Sequence, residues 1–164
     1  MKKFSHSVTL KHKSIAQMEA EIVAMTKQVF NGDDETFGMT STGGTDSCMN
    51  AVLAYKLWAR EEKGITKPNL VISTSAHLAF KRACTYFNIE CRMIPLKKDF
   101  TMDVQAMEAA IDENTIALIS SACDYGYGII DPVRALAAIA LNHNVGLHVD
   151  ACLGGYVLPF MEHY

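Results

Sequence analysis

Apolar positions along the chain switch repeatedly between helical spacing and short strand-like runs, and that switching sets the expected architecture. Ile15, Met18, Ile22, Met25 and Val29 recur at the 3.6-residue spacing of an amphipathic helix, which predicts a helix from Ser14 to near Phe30. Core packing is expected to account for that helix, and the turn-like run Asn31-Gly32-Asp33-Asp34 follows it. A second helical pattern runs through Val52, Leu53, Tyr55, Leu57 and Trp58 and stops at Gly64, a suitable capping glycine. Beyond it, short apolar runs and helical patterns alternate. Strands are predicted at Asn69 to Thr74, Cys91 to Pro95, Thr115 to Ser120 and Gly146 to Val149. Helices are predicted at His77 to Phe87, Asp103 to Ile111 and Pro132 to Asn142, the last with proline near its first turn. Strands alternating with helices imply an α/β fold: a largely parallel sheet with helices on both faces. Residues 1–13 lack a clear period and are expected to be a flexible lead-in, leaving 14–164 as one domain.

In such a sheet, ligands bind outside the carboxyl ends of the strands, so the residues after each strand are the candidate chemistry. The last strand runs into His148-Val149-Asp150-Ala151-Cys152-Leu153-Gly154-Gly155, which puts Asp150 at that rim. A carboxylate there caps a turn or pairs with a protonated ring nitrogen such as that of pyridoxal phosphate, and the stretch alone leaves both open. His77 follows the first strand in Ser73-Thr74-Ser75-Ala76-His77 and either caps the next helix or stacks on a flat ligand. Asp124-Tyr125-Gly126-Tyr127-Gly128 follows the third strand, and its tyrosines are candidate pocket walls. Thr42-Gly43-Gly44-Thr45-Asp46-Ser47 opens the second helix. Two glycines let backbone amides approach a ligand, the helix N-terminus favours an anion, and Thr42, Thr45 and Ser47 can add hydroxyl donors. A plain glycine turn fits the same residues. Neither the dinucleotide fingerprint nor the P-loop pattern occurs.

Composition narrows the classes further. With 164 residues, 49% hydrophobic and 20% charged, the chain is an ordinary single globular domain. A net charge of -3 gives no reason to expect nucleic acid or an anionic membrane as partner. Five cysteines, an odd number without C-x-x-C, read as buried reduced thiols, and the histidines show no metal-ligand spacing. No apolar run approaches a membrane span or a signal core, which makes the chain an expected soluble, cytosol-facing protein.

Taken together, four motifs carry a resemblance. Thr40-Ser41-Thr42-Gly43-Gly44-Thr45-Asp46-Ser47, Ser75-Ala76-His77-Leu78-Ala79-Phe80, Gly128-Ile129-Ile130-Asp131-Pro132 and the Asp150 motif resemble, in order and spacing, the sphingosine-1-phosphate lyases of the PLP-dependent group II decarboxylase family. The resemblance implies the large domain of fold-type I PLP enzymes, incomplete at its C-terminal side, with pyridoxal 5'-phosphate as cofactor. Thr42, Gly43, Gly44 and Thr45 would hold its phosphate, His77 would stack on its ring, and Asp150 would bind the ring nitrogen. His77 and Asp150 are thus the implied catalytic residues. The implied reaction cleaves a phosphorylated sphingoid base into a fatty aldehyde and phosphoethanolamine, in a homodimer; eukaryotic relatives are anchored in the endoplasmic reticulum membrane. An amino-acid decarboxylase of the same family, a non-catalytic PLP-binding partner protein and a domain for another phosphorylated ligand are the alternatives. Four departures stand out. Asp46 and Thr42 replace the commoner Glu and Ser, and the loop Asp124 to Gly128 lacks the prolines usual there. The family's Schiff-base lysine has no counterpart in Lys81, Lys97 or Lys98, so the chain by itself is expected to be inactive.

Overall fold

Four short strands form one parallel sheet, and the helices between them cover both of its faces. In the computed structural model, residues 13–161 are described; the lead-in expected over 1–13 lies outside them except for Lys13. The elements are α1 (Lys13–Val29), α2 (Gly44–Lys63), β1 (Asn69–Ser73), α3 (Leu78–Phe87), β2 (Glu90–Ile94), α4 (Val104–Ala109), β3 (Thr115–Ser121), α5 (Val133–Asn142), β4 (Gly146–Asp150) and a 3₁₀ turn (Leu158–Phe160). Every predicted strand and helix is present, with ends moved by a residue or two.

The strand order is β2-β1-β3-β4, all parallel. Every residue of β1 and β3 is buried, as central parallel strands require. Their side chains alternate between two cores. Leu70, Ile72, Ala117 and Ile119 pack with Val52 and Ala59 of α2 and with Phe80 and Ala83 of α3. Val71 and Leu118 pack on the other face with Met107 of α4 and Leu136 and Ile139 of α5. The chain moves from β1 to β2 through α3, then back across β1 to β3 through α4. Reversing direction across the sheet moves the crossover to the opposite face, as right-handed connections demand. The reversal falls between β1 and β3, and the loops after these strands diverge there to leave a crevice.

Gly146 marks a close contact at the start of β4. A Cβ there would lie 2.2 Å from the Tyr55 ring, whose hydroxyl donates to the Leu147 carbonyl at 2.7 Å. That pair fastens α2 against β4 and fixes the approach of the helix N-terminus to the strand end.

The expectation for α1 is corrected. None of its residues is buried, and Met18 is 61% exposed. It touches the rest of the chain at its side and end: Thr40 donates to Glu19 at 3.0 Å, Thr26 meets Tyr156, and Phe30 lies edge-on to Tyr156 at 6.5 Å. An amphipathic stripe states that an apolar partner suits it, not that the partner is this core. No described helix is long and apolar enough to cross a membrane.

Candidate active site

A cavity of about 300 Å³ opens over the crevice, at the lower end of the range for small-molecule sites. It is lined by Gly44, Thr45 and Cys48 of α2, His77 before α3, Ser121, Cys123 and Tyr125 after β3, and Asp150, Cys152 and Leu153 after β4. Three strand ends and one helix N-terminus thus converge on one space.

The α2 end is built for an anion. Gly43, its N-cap, has φ 156° and ψ 170°, a region open essentially to glycine alone. Nothing lies within 4 Å of where its Cβ would be, so the demand is conformational and not steric. The first intrahelical bond runs from the Ser47 amide to the Gly43 carbonyl at 3.0 Å. The amides of Gly44, Thr45 and Asp46 precede it and have no partner within the helix. Thr42 departs from expectation. Its amide and hydroxyl both donate to Asp46, each at 3.1 Å, so they serve the loop and the residue does not line the cavity. Gly43 shapes the turn behind the lining.

His77 makes the cap that sequence left open and also lines the cavity. Its Nδ1 accepts the Ala79 amide at 3.2 Å, capping α3 and placing the ring proton on Nε2. The same ring lines the cavity, with Tyr125 edge-on at 6.4 Å and 85°. Asp150 is likewise double. Its Oδ1 accepts the Cys152 amide at 3.0 Å, which closes the turn after β4, while the side chain borders the cavity. It pairs in register with Ser121, and the Ala122 amide donates to its carbonyl at 2.8 Å.

Two buried carboxylates behind the third wall were not singled out as site residues. Asp131 accepts the Ser121 amide at 2.6 Å, and Asp124 accepts the Tyr127 amide at 2.6 Å. They tie down the loop that carries Cys123 and Tyr125. Burial, with the Asp124 charge nearby, pushes the Asp131 carboxyl up to about 6 although the Ser121 amide opposes it. The second Asp124 oxygen and the Ser120 hydroxyl are buried without partners. The available signal was Ser120-Ser121 ending a strand at the rim, with Asp131 ten residues on.

Cysteines line the cavity in a way that composition could not reveal. Burial, then the charge of Asp150, pushes the Cys48 thiol up to about 12. Asp150 beside it pushes Cys152 up to about 11. Both are held as neutral thiols. The expectation of buried cysteines holds for Cys48 and Cys84 but not for Cys152, which is exposed. Lys81, Lys97 and Lys98 do not line the cavity.

With this geometry in view, the chain can be set beside known proteins. A profile of the pyridoxal-dependent decarboxylase conserved domain matches residues 6–164. The chain belongs to that family, whose cofactor is pyridoxal 5'-phosphate. It is 43% identical to a sphingosine-1-phosphate lyase of Oryza sativa subsp. japonica, over 96% of this chain and 31% of that one. A solved sphingosine-1-phosphate lyase of Burkholderia pseudomallei K96243 superposes with TM-score 0.86 at 43% identity, covering 90% of this chain and 36% of that one. A probable L-tyrosine/L-aspartate decarboxylase of Methanoculleus marisnigri is 39% identical over 76% of this chain and 33% of its own length. The chain therefore spans about a third of the length of these relatives.

The residues present fit the family cofactor. A flat, anionic, nitrogen-bearing ring needs an anion end, a face and a carboxylate, and the α2 amides, the His77 ring and Asp150 border one cavity.

Proposed function

We propose that this chain is the cofactor-binding part of a PLP-dependent carbon–carbon lyase that cleaves phosphorylated sphingoid bases into a fatty aldehyde and phosphoethanolamine. The observation that carries the reading is 43% identity to sphingosine-1-phosphate lyases in both the rice sequence and the Burkholderia structure. The amides of Gly44 and Thr45, with the Thr45 hydroxyl, hold the cofactor phosphate, and Gly43 gives the turn that exposes those amides. His77 presents its ring to one face of the cofactor while its Nδ1 stays committed to Ala79. Asp150 holds a proton at the ring nitrogen; Cys152 fixes the carboxylate by donating its amide to Oδ1. When bound, the cofactor supplies an electron sink for the bond that breaks, and a protonated ring nitrogen deepens that sink.

A homodimer with the site near its interface is part of this proposal, following the family resemblance. No lysine borders the cavity among the described residues. The 164-residue chain alone is accordingly proposed to bind cofactor without turning substrate over.

The identity to a probable L-tyrosine/L-aspartate decarboxylase supports a second reading, carbon dioxide release from an amino acid. Spectral titration with pyridoxal 5'-phosphate tests the shared binding step. Saturable binding that Asp150→Ala and His77→Ala each weaken supports the site, and binding indifferent to both overturns it. For an active enzyme carrying this segment, aldehyde release from a sphingoid base phosphate supports the lyase, and carbon dioxide release from tyrosine or aspartate supports the decarboxylase.

A further inference from the structure

The rim carries an aromatic pair that the cofactor contacts leave unused. Phe100 follows β2, Tyr127 follows β3, and their rings stack at 4.6 Å with an interplanar angle of 24°. Those two strands flank β1 in the sheet, so the pair reaches across the carboxyl end of β1, where the His77 turn begins. Both loops lead into α4 and α5, which cover the face opposite α2 and α3. The pair therefore stands on the far side of the crevice from the α2 N-terminus.

Each ring is fixed by its backbone and left half open. Phe100 has φ 63°, a left-handed conformation that a bulky residue adopts only where its surroundings impose it. The Phe100 amide closes that turn on the Lys97 carbonyl at 3.0 Å, and Asp99 accepts the Thr101 amide and hydroxyl at 3.1 and 2.7 Å. Asp124 fixes the Tyr127 amide at 2.6 Å. Even stacked, Phe100 and Tyr127 stay 51% and 53% exposed. Tyr125, two residues before Tyr127 on the same loop, lines the cavity, so this aromatic surface continues the cavity wall.

We infer that Phe100 and Tyr127 receive the alkyl chain of the substrate as it leaves the cavity, which makes them the residues that select for a long chain. The inference rests on the sphingoid-base reading above. A cavity of about 300 Å³ is small for a ligand site, and a cofactor in it leaves no room for a long alkyl chain. The chain must continue over protein surface or stay in water, where each methylene forgoes its hydrophobic gain. The Leu153 side of the mouth is the anion end, because the Sγ of neighbouring Cys152 lies 3.5 Å from where a Gly44 Cβ would be. The Tyr125 side is the apolar exit.

The test uses the full 164-residue chain and stable conjugates that join the cofactor, through a reduced C–N bond, to the substrate amine. One conjugate carries phosphoethanolamine, with no alkyl chain, and is the reference; the others carry sphingoid base phosphates of increasing chain length. Calorimetric affinity is expected to rise with chain length, by about tenfold or more over the series. Phe100→Ala and Tyr127→Ala should each remove most of that rise and leave the reference within about twofold, whereas Tyr127→Phe should keep it. A second readout needs no variant. A photoreactive diazirine within the alkyl chain should label Phe100 or Tyr127, both in the tryptic peptide Asp99 to Arg134, and not Leu153 in the peptide Ala135 to Tyr164. A rise that both alanine variants keep, or label on Leu153, overturns the inference and leaves the sphingoid-base reading standing. No rise at all in the unaltered chain overturns both. Binding to phosphatidylcholine vesicles that Phe100→Ala abolishes would assign the pair to a bilayer surface and also overturn the inference.

Discussion

Replacing Asp131 by Asn should stabilise the chain above pH 6 and leave it unchanged near pH 4. The carboxyl is 4% exposed, accepts the Ser121 amide at 2.6 Å, and sits near the charge of Asp124. Its rise to about 6 makes the folded state hold a proton that the unfolded chain releases near ~3.9. Between those values the folded state binds more protons. The stability contributed is therefore complete below about pH 4 and is lost as pH rises through about 6. About 2 units at ~1.4 kcal/mol each place the cost of the charged form at roughly 3 kcal/mol at neutral pH. Asn keeps an acceptor oxygen for Ser121, and the rise to about 6 already includes the opposing pull of that amide on the charged form. The gain expected at pH 7.5 is therefore roughly 2–3 kcal/mol. His148 works in the opposite sense, because burial lowers it and its contribution is lost as pH falls. Both chains carry His148, so the difference between them cancels it. Urea midpoints for the two chains without cofactor, at pH 4, 6 and 7.5, read the effect. A difference that does not change with pH, or an Asp131→Asn chain that is the weaker of the two at pH 7.5, refutes the account.

Gly154→Ala should destabilise by about 3 kcal/mol or more, because a Cβ there would meet the Ala122 carbonyl oxygen at 2.1 Å; thermal melting reads it. Tyr55→Phe, which removes only the hydroxyl donating to Leu147 at 2.7 Å, should cost about 1 kcal/mol in urea denaturation. Asp150→Ala should weaken pyridoxal 5'-phosphate binding by roughly tenfold or more, whereas Thr42→Val should leave it within about twofold in the same titration. A large effect of Thr42→Val would mean that its hydroxyl leaves Asp46 to serve the cofactor.

The alternating layout of the chain reads directly because β1 and β3 are buried on both faces and need unbroken apolar runs. The rim residues His77 and Asp150 were legible for a related reason, since parallel topology sends the residue after each strand to one edge, whereas Gly44 and Thr45 were legible as the glycine-rich start of a helix. The sequence did not show which of two roles each would take. His77 and Asp150 each make their local hydrogen bond through one atom and border the cavity with the rest, so cap and site were never exclusive.

By itself the sequence determined element type, strand direction and the strand ends on which the candidate chemistry sits, since these follow from periodicity and from glycine and proline placement. Only the tertiary structure decided what meets across those ends. Cys48 and Cys152, more than a hundred residues apart, came to share a wall with Asp150, and Asp131 came to hold Ser121 from behind. It also left the apolar stripe of α1 exposed. Such contacts depend on distances between elements far apart in the chain, and local patterning, which fixes only the face and the period, carries no information about them.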